Sequence, residues 1–207
     1  MIRAFETSKQ AHQRHSDKAA RTRDRILTLA AQAASVNGIG TLTIGGLASA
    51  TGMSKSGLYV HFGSKEALQI ALVDTIEKQF RKEVVGPVFA MPSGKDQLLE
   101  MMRLWIAWSQ SPDRPGGCQL IAATFELDGL DGSVRDRLAK SIDAWRGAIR
   151  VLWNNGKPKG ELRGLDAEQA ASLAYGLYAA QHIERFLLHD QTAPERAMKL
   201  WKAAACR

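Results

Sequence analysis

A group of side chains between residues 43 and 65 has the types and spacing to form hydrogen bonds with a polyanion. Lys55, Ser56 and Gly57 fall together at the predicted start of a short helix. Small or flexible groups in a first helical turn suit entry into the major groove of a duplex, which is about 12 Å wide. Further donors follow at Tyr59, His61 and Lys65. The pattern therefore predicts a surface that contacts nucleic acid.

The elements that must position these side chains are a helix, a tight glycine turn and a second helix. Thr43 and Ser54 can cap helices over 44–51 and 55–62, and Gly52 supplies a left-handed turn residue between them. Apolar residues recur at helical spacing along one side of both segments, which indicates a shared core. This arrangement is typical of the helix-turn-helix motif.

The rest of the chain also has a helical pattern. Apolar residues recur three and four positions apart through most of the length, and no alternating, β-branched run is visible, so the fold class is all-α. All six prolines lie beyond residue 86, where they mark helix ends. The predicted helices are 19–36, 44–51, 55–62, 65–85, 95–110, 118–127, 133–155, 167–189 and 194–205.

Three segments follow from this pattern. Residues 1–18 are polar and predict a flexible basic arm that could track phosphates or enter a minor groove, with a disordered tail as the alternative. Residues 19–66 predict the helix-turn-helix head. Residues 67–207 predict a helical body, joined to the head by the fourth helix.

The charge distribution supports contact with a polyanion at one end of the molecule. The chain has 28 Lys and Arg against 21 Asp and Glu, and five of its seven net positive charges fall within the first 67 residues. A solvated, solubilising face is the alternative. The longest apolar stretch, 173–180, is too short to span a membrane, and the N-terminus lacks a signal-peptide pattern, so we expect a cytoplasmic protein without membrane contact.

Residue patterns that support catalysis or metal binding are scarce. HExxH, GxSxG and Walker motifs are absent, and Gly38-x-Gly40 lacks the strand that a dinucleotide-binding loop requires. Cys118 and Cys206 are too few for a disulfide framework and belong to no zinc-binding pattern. An acidified, redox-sensing thiol and simple packing both remain open for Cys118. We therefore expect neither an enzyme nor a bound metal or cofactor.

The stretch from Gly52 to Leu68, which reads Gly-Met-Ser-Lys-Ser-Gly-Leu-Tyr-Val-His-Phe-Gly-Ser-Lys-Glu-Ala-Leu, closely resembles the DNA-binding region of the tetracycline-repressor (TetR) family. The resemblance extends over about residues 22–71. It implies a homodimeric bacterial regulator with a helix-turn-helix head and a variable helical body that binds an inducer and forms the dimer.

The resemblance also implies roles for individual residues. By matching position, Lys55, Ser56 and Gly57 are candidates for contact with base edges. The candidates for phosphate contact are Thr43, Tyr59, His61 and Lys65. The alternatives are idle surface lysines at 55 and 65 and partly buried core aromatics at 59 and 61.

Two departures from the family pattern stand out. Ala34 replaces a large aromatic late in helix 1, so we expect Val36 and Phe62 to fill the core of the head. Gly45 replaces a polar side chain that often helps to read bases, so sequence preference should depend more on the third helix.

Bulky apolar side chains are concentrated in the body, where all five tryptophans lie. Core packing is the usual role of such residues in a helical bundle. The resemblance implies an alternative, a pocket for a small and mostly apolar effector with a few orienting polar groups. The candidate pocket residues are Met101, Trp105, Gln119, Phe125 and Trp145.

The eighth and ninth predicted helices, 167–189 and 194–205, carry a row of small and apolar residues. The row comprises Ala171, Leu173, Ala174, Gly176, Leu177, Ala179, Ala180, Phe186 and Leu187. It predicts a four-helix interface with a twofold-related copy, and packing within one chain is the alternative.

The combined features predict a transcriptional repressor that leaves a palindromic operator when an effector binds. The alternative is a helix-turn-helix DNA-binding protein without a small-molecule effector.

Overall fold

Helices account for nearly all of the regular structure, as the apolar spacing predicts. The structure, a computed structural model, describes residues 2–207, with side chains described from residue 17 onward. Its helices are α1 (Ile2–Asn37), α2 (Ile44–Thr51), α3 (Lys55–Phe62), α4 (Lys65–Phe80), α5 (Gly86–Phe89), α6 (Lys95–Ser109), α7 (Gln119–Leu127), α8 (Ser133–Gly156), α9 (Ala167–Phe186) and α10 (Ala193–Ala205). The described residues contain no β-strand, and Leu162 and Cys206 form one isolated antiparallel bridge. None of the described helices is long and apolar enough to cross a membrane.

The short helices of the head begin and end where the sequence predicts. The side chains of Thr43, Ser54 and Ser64 each accept a hydrogen bond from the backbone N–H three residues later, at the starts of α2, α3 and α4. Gly52, with φ 67°, takes the left-handed conformation that ends α2. These caps satisfy backbone donors that helices of this length cannot satisfy internally.

The core of the head differs in one respect from the expectation. Phe62 is buried as predicted, but Val36 is 63% exposed, so its predicted core role is wrong. The last turns of α1 direct Ala34 and Ser35 inward, which leaves Val36 on the outer side. The fully buried side chain beyond the end of α1 is Ile39.

The start of α1 is a second correction. We expected an arm over residues 1–18 and a helix from residue 19, whereas α1 begins at Ile2. Residues 2–18 contain no Gly or Pro and are rich in Ala, Lys, Arg and Gln, which are good helix formers, so propensity continues the helix toward the N-terminus. The side chains of residues 1–16 lie outside the described part of the chain.

The long fourth helix is continuous but not uniform. α4 ends at Phe80, a π-helical turn covers Arg81–Val85, and α5 continues the segment to Phe89. Pro87 has no N–H to give to a helical acceptor, and the wider turn accommodates it. The segment thus extends past the predicted end at residue 85.

The body surrounds a core rich in aromatic side chains. α8 packs between α4 and α9, and α10 packs on α9 and α6. Trp153 and Trp201 are fully buried. Their indole N–H groups donate to the carbonyls of Leu165, at 3.2 Å, and Leu98, at 3.1 Å, so neither polar atom is left unpaired.

Candidate DNA-binding surface and ligand pocket

The predicted base-reading residues lie on the outer surface of α3. Lys55 and Ser56 are exposed, while Gly57 is half-buried and its N–H donates to the cap at Ser54. The opposite face of α3 holds Leu58 and Phe62, which are buried in the head. The first turn is therefore accessible from outside.

The other α3 candidates also lie toward this surface. Tyr59 is 53% exposed and His61 is half-buried, so Tyr59 is not the core aromatic considered as an alternative. Val60, which the sequence reasoning missed, is 86% exposed. The sequence does contain a signal for this exposure. Val60 lies between two candidate donors and outside the apolar spacing of Leu58 and Phe62.

The flanking candidates Thr43 and Lys65 are already engaged within the head. Thr43 is exposed and its hydroxyl caps α2. The Lys65 ammonium donates to the carbonyl of Gly40 at 2.9 Å. Both side chains thus lie at exposed helix N-termini beside α3.

α7 connects the body to the head. The Glu126 carboxylate accepts from the N–H of Gly40 at 2.8 Å, in the loop between α1 and α2. Gln119 donates through Nε2 to the carbonyl of Ala31 at 3.0 Å. Gly38 has φ 85°, a left-handed conformation that favours glycine, and a Cβ there would displace the Glu126 carboxylate, whose Oε1 would lie 2.4 Å away.

A cavity of about 290 Å³ opens among the helices of the body. Two of the candidate pocket residues, Trp105 and Trp145, line it. Met101 is completely buried in the core and does not line it.

Two other pocket predictions also require correction. Gln119 is buried against α1, where it forms the hydrogen bond to Ala31. Phe125 is 58% exposed and does not line the cavity, although it lies four residues after Ile121. The cavity is lined instead by Leu120 and Ile121 of this helix, together with Cys118 just before it.

Several lining residues are not among the five candidate pocket residues. α4 and the π-helical turn contribute Glu77, Phe80 and Arg81. α8 contributes the small residues Ala144, Gly147 and Ala148, at the three and four spacing of one helix face. Small residues on one helix opposite bulky residues on another were the signal for a cavity.

The aromatic side chains beside the cavity pack closely. Trp105 stacks on Tyr178, with ring centroids 3.4 Å apart and planes at 8°. Trp145 lies 3.7 Å from Trp105 between centroids, at 43°. Tyr175, also in the lining, lies 5.8 Å from Trp145, and burial raises the pKa of its hydroxyl. These contacts give that side of the cavity a fixed, apolar wall.

A charged network forms the polar side of the cavity. The Arg137 guanidinium donates to Asp74 Oδ1 at 2.6 Å and to Glu77 Oε2 at 2.5 Å. Ser141 also donates to Glu77 Oε2, at 2.6 Å. Burial acts to raise the pKa of Glu77, but the hydrogen bonds from Ser141 and Arg137 outweigh it, so the pKa lies below its ordinary value. Glu77 is therefore a carboxylate at neutral pH.

Two family models match this chain. Residues 26–72 match the model described as bacterial regulatory proteins, tetR family. Residues 94–201, which are more than half of the chain, match the model described as tetracyclin repressor-like, C-terminal domain. The chain belongs to the TetR family of transcriptional regulators.

Solved structures of TetR-type regulators share the fold. A TetR regulator from Chloroflexus aurantiacus is 27% identical, with a TM-score of 0.82, over 92% of this chain and 98% of that one. AibR, solved with isovaleryl coenzyme A and operator DNA, is 19% identical, with a TM-score of 0.70, over 88% and 97% of the two chains. A regulator from Saccharomonospora viridis, solved with choline, is 19% identical, with a TM-score of 0.75, over 89% and 95%. No curated protein matches the sequence.

In this TetR-family chain the predicted small-residue row lies on α9 and the residue after it, with no member on α10, and it divides between two faces. Ala171 and Ala174 are fully buried within the chain, so they cannot belong to a surface interface. Gly176, Ala180 and Leu187 are exposed. The remaining members are half-buried: Leu173, Leu177, Ala179 and Phe186.

Proposed function

We propose that this TetR-family protein is a repressor that binds palindromic operator DNA as a homodimer and is released by a small, mostly apolar effector. The observation that carries the proposal is the first turn of α3. Lys55 and Ser56 are exposed there on a helix-turn-helix head, while Leu58 and Phe62 hold the opposite face in the core.

The base and phosphate roles follow from these positions. Lys55 and Ser56 supply donors and an acceptor for base edges, and Gly57 allows the backbone to approach them. Exposed Val60 adds an apolar surface that suits the methyl group of thymine. We assign phosphate contact to Thr43, Tyr59, His61 and Lys65, which flank this turn.

The dimer interface that we propose lies on α9 and α10. Ser172, Gly176, Ala180, Ile183 and Leu187 are exposed at spacings of three and four, so they share one face of α9. On α10, Leu200 is 50% exposed. A second copy that covers this surface by a twofold axis would form a four-helix bundle.

The cavity is the proposed effector site, and two connections join it to the head. α4 carries Glu77 and Phe80 of the lining and leads directly from α3. α7 carries Leu120 and Ile121 of the lining and bonds to the head through Gln119 and Glu126. An effector that moves either helix would therefore change the position of the head. AibR and the Saccharomonospora viridis regulator were solved with small molecules, which supports an effector role here.

The test is selection of binding sites from random duplex DNA by the purified full-length protein. We expect enrichment of an inverted repeat whose half-sites lie about 34–36 Å apart, or a multiple of that distance. Enrichment of a single unpaired site would contradict the dimeric mode. No enrichment at low salt, where phosphate contacts are strongest, would contradict DNA recognition by α3 altogether.

A further inference from the structure

The size of the cavity limits its occupant. Its volume of about 290 Å³ is roughly twice that of an engineered 150 Å³ protein cavity that holds benzene. Phe80, Trp105, Trp145 and Tyr175 are among its lining residues. Flat aromatic walls pack best against a flat apolar ligand. These features favour a molecule of about two aromatic rings.

The polar atoms of the lining limit the chemistry further. Ser141 donates to Glu77 and accepts from Arg137, so its hydroxyl is engaged. The Tyr175 hydroxyl lies 3.4 Å from Thr124 Oγ1. Both hydrogen bonds that Glu77 accepts from described residues end on Oε2. Oε1 of Glu77 accepts no hydrogen bond from a described residue, and as a carboxylate oxygen it can only accept one.

The charges around the cavity argue against an ionic ligand. Glu77 and Arg81 both line it and have opposite charges. Behind them Arg137 pairs with Asp74 as well as with Glu77. Because Arg81 lies one helical turn after Glu77, a ligand carboxylate that approached Arg81 would also lie beside the negative charge of Glu77. A ligand cation would find the Glu77 carboxylate already paired with Arg137.

We infer that the cavity binds an uncharged aromatic molecule of about two rings that carries a hydroxyl or amino donor, with Glu77 Oε1 as its acceptor. This inference rests on the proposed effector function of the same cavity. It adds the ligand class and assigns ligand discrimination to one carboxylate oxygen.

Three probes of nearly equal shape test separately whether the ligand needs a hydrogen-bond donor and whether it must be uncharged. 2-Naphthol carries a donor, 2-methoxynaphthalene replaces that donor by an ether, and 2-naphthoate carries a negative charge near neutral pH. Binding to the purified full-length protein is measured by calorimetry and by tryptophan fluorescence. Because a hydrogen bond to a charged group is among the stronger ones, we expect 2-naphthol to bind roughly tenfold or more tightly than 2-methoxynaphthalene. 2-Naphthoate should bind more weakly than 2-naphthol.

Variants test whether the Glu77 carboxylate causes the preference among the probes. Glu77→Gln removes the charge while it retains the size of the side chain, so the preference for 2-naphthol over 2-naphthoate should fall by roughly tenfold. Glu195→Gln is the matched control, because Glu195 is an exposed carboxylate on α10 that does not line the cavity. Ala148→Phe should abolish binding of all three probes by filling the cavity, whereas Ala139→Phe, at an exposed site of the same helix, should not.

Several results would overturn the inference. Equal affinity for 2-naphthol and 2-methoxynaphthalene would remove the donor requirement, and preference for 2-naphthoate would reverse the charge argument. Failure of every probe to bind protein that selects operator DNA would reject the ligand class and leave the repressor proposal intact. If the protein selected no DNA but bound 2-naphthol more tightly than 2-methoxynaphthalene, the repressor proposal would be rejected and the ligand class would stand. The three probes are compared on the unaltered protein, so a folding defect in Glu77→Gln would not spoil the test.

Discussion

At the scale of single residues, the side chain of Lys55 lies over Gly45 of α2. A Cβ added to Gly45 would lie 3.3 Å from Lys55 Cε, so the lysine chain passes over the place where a side chain of α2 would project. Because we propose that Lys55 contacts a base edge, Lys55→Ala should relax sequence preference at one base pair, by about 1–3 kcal/mol. Competition binding with operators substituted at single positions measures this effect.

Lys65→Ala is compared with Lys55→Ala, and its expected result is different. Lys65 lies at the start of α4, outside α3, and its ammonium donates to the carbonyl of Gly40 in the loop between α1 and α2. We expect weaker binding to operator and random DNA alike, with the slope of log affinity against log salt smaller in magnitude by about 1. Equal effects of the two variants on operator and random duplexes would refute the division between base and phosphate contact.

We expect His182 to make the stability of the body depend on pH. It is buried, its Nδ1 has no hydrogen-bond partner among the described residues, and burial lowers its pKa from 6.5 to about 4. Because the unfolded chain takes up a proton first, stability should fall as pH drops from 6.5 toward 4, by on the order of 3 kcal/mol.

The measurement is the free energy of unfolding by denaturant across this pH range. His182→Gln should flatten the dependence, since it removes the buried titrating ring. His189→Asn is the control, because His189 is exposed and its φ of 57° is a conformation that asparagine tolerates. A dependence in His182→Gln as steep as in the unaltered protein would exclude His182 as its source.

At the scale of elements, α7 lies in contact with both the cavity and the head. The Glu126 carboxylate accepts a hydrogen bond from the N–H of Gly40, and no other side chain in the described part of the body accepts from that N–H. Glu126→Ala should therefore weaken the effect of a cavity ligand on operator affinity, which for allosteric proteins is typically about 1–3 kcal/mol. The affinity for the ligand itself should change little.

This coupling is measured as the ratio of operator affinities with and without a saturating ligand. Asp128→Ala provides the control, because Asp128 is exposed at the end of α7 and does not line the cavity. An unchanged ratio in Glu126→Ala would exclude the Glu126–Gly40 bond as a route and leave the Gln119–Ala31 bond and α4 as the connections to test.

The elements also illustrate which features the sequence can predict. Thr43, Ser54 and Ser64 act within three residues of their own position, and local chemistry was enough to place them. Trp105 and Trp145 were identified as pocket residues by their size. Gln119 and Phe125 were misplaced, because their environment depends on how α7 is rotated between α1 and the body, and no local pattern specifies that rotation.

At the scale of the whole molecule, the exposed face of α9 changes along its length. Ser172, Gly176 and Ala180 are small, whereas Ile183 and Leu187 present apolar side chains that are 39% and 71% exposed. Small residues let two helices approach closely, and the apolar end supplies surface to bury. The sequence alone could not separate this face from the buried Ala171 and Ala174, because both rows have the same small-residue character.

Gly176 allows the dimer to be tested without disturbing the single chain. A Cβ added there meets no atom within 4 Å, so the fold has room for a larger side chain, and replacing a glycine in mid-helix favours the helix by about 1 kcal/mol. Gly176→Arg should nevertheless prevent close approach of a second α9. We expect it to sediment as a folded monomer at micromolar concentration and to lose most of its affinity for a two-half-site operator, because the two heads no longer bind together.

Gly164→Arg is the matched control, since a Cβ at Gly164 also meets no atom within 4 Å and the residue lies in a loop outside the α9 face. Circular dichroism of both variants checks that the helices persist. If Gly176→Arg remained dimeric with unaltered operator affinity, the twofold contact would have to lie elsewhere on the body. A monomeric unaltered protein that still bound an inverted repeat tightly would contradict pre-assembly of the two heads, because each α3 would then reach its half-site independently.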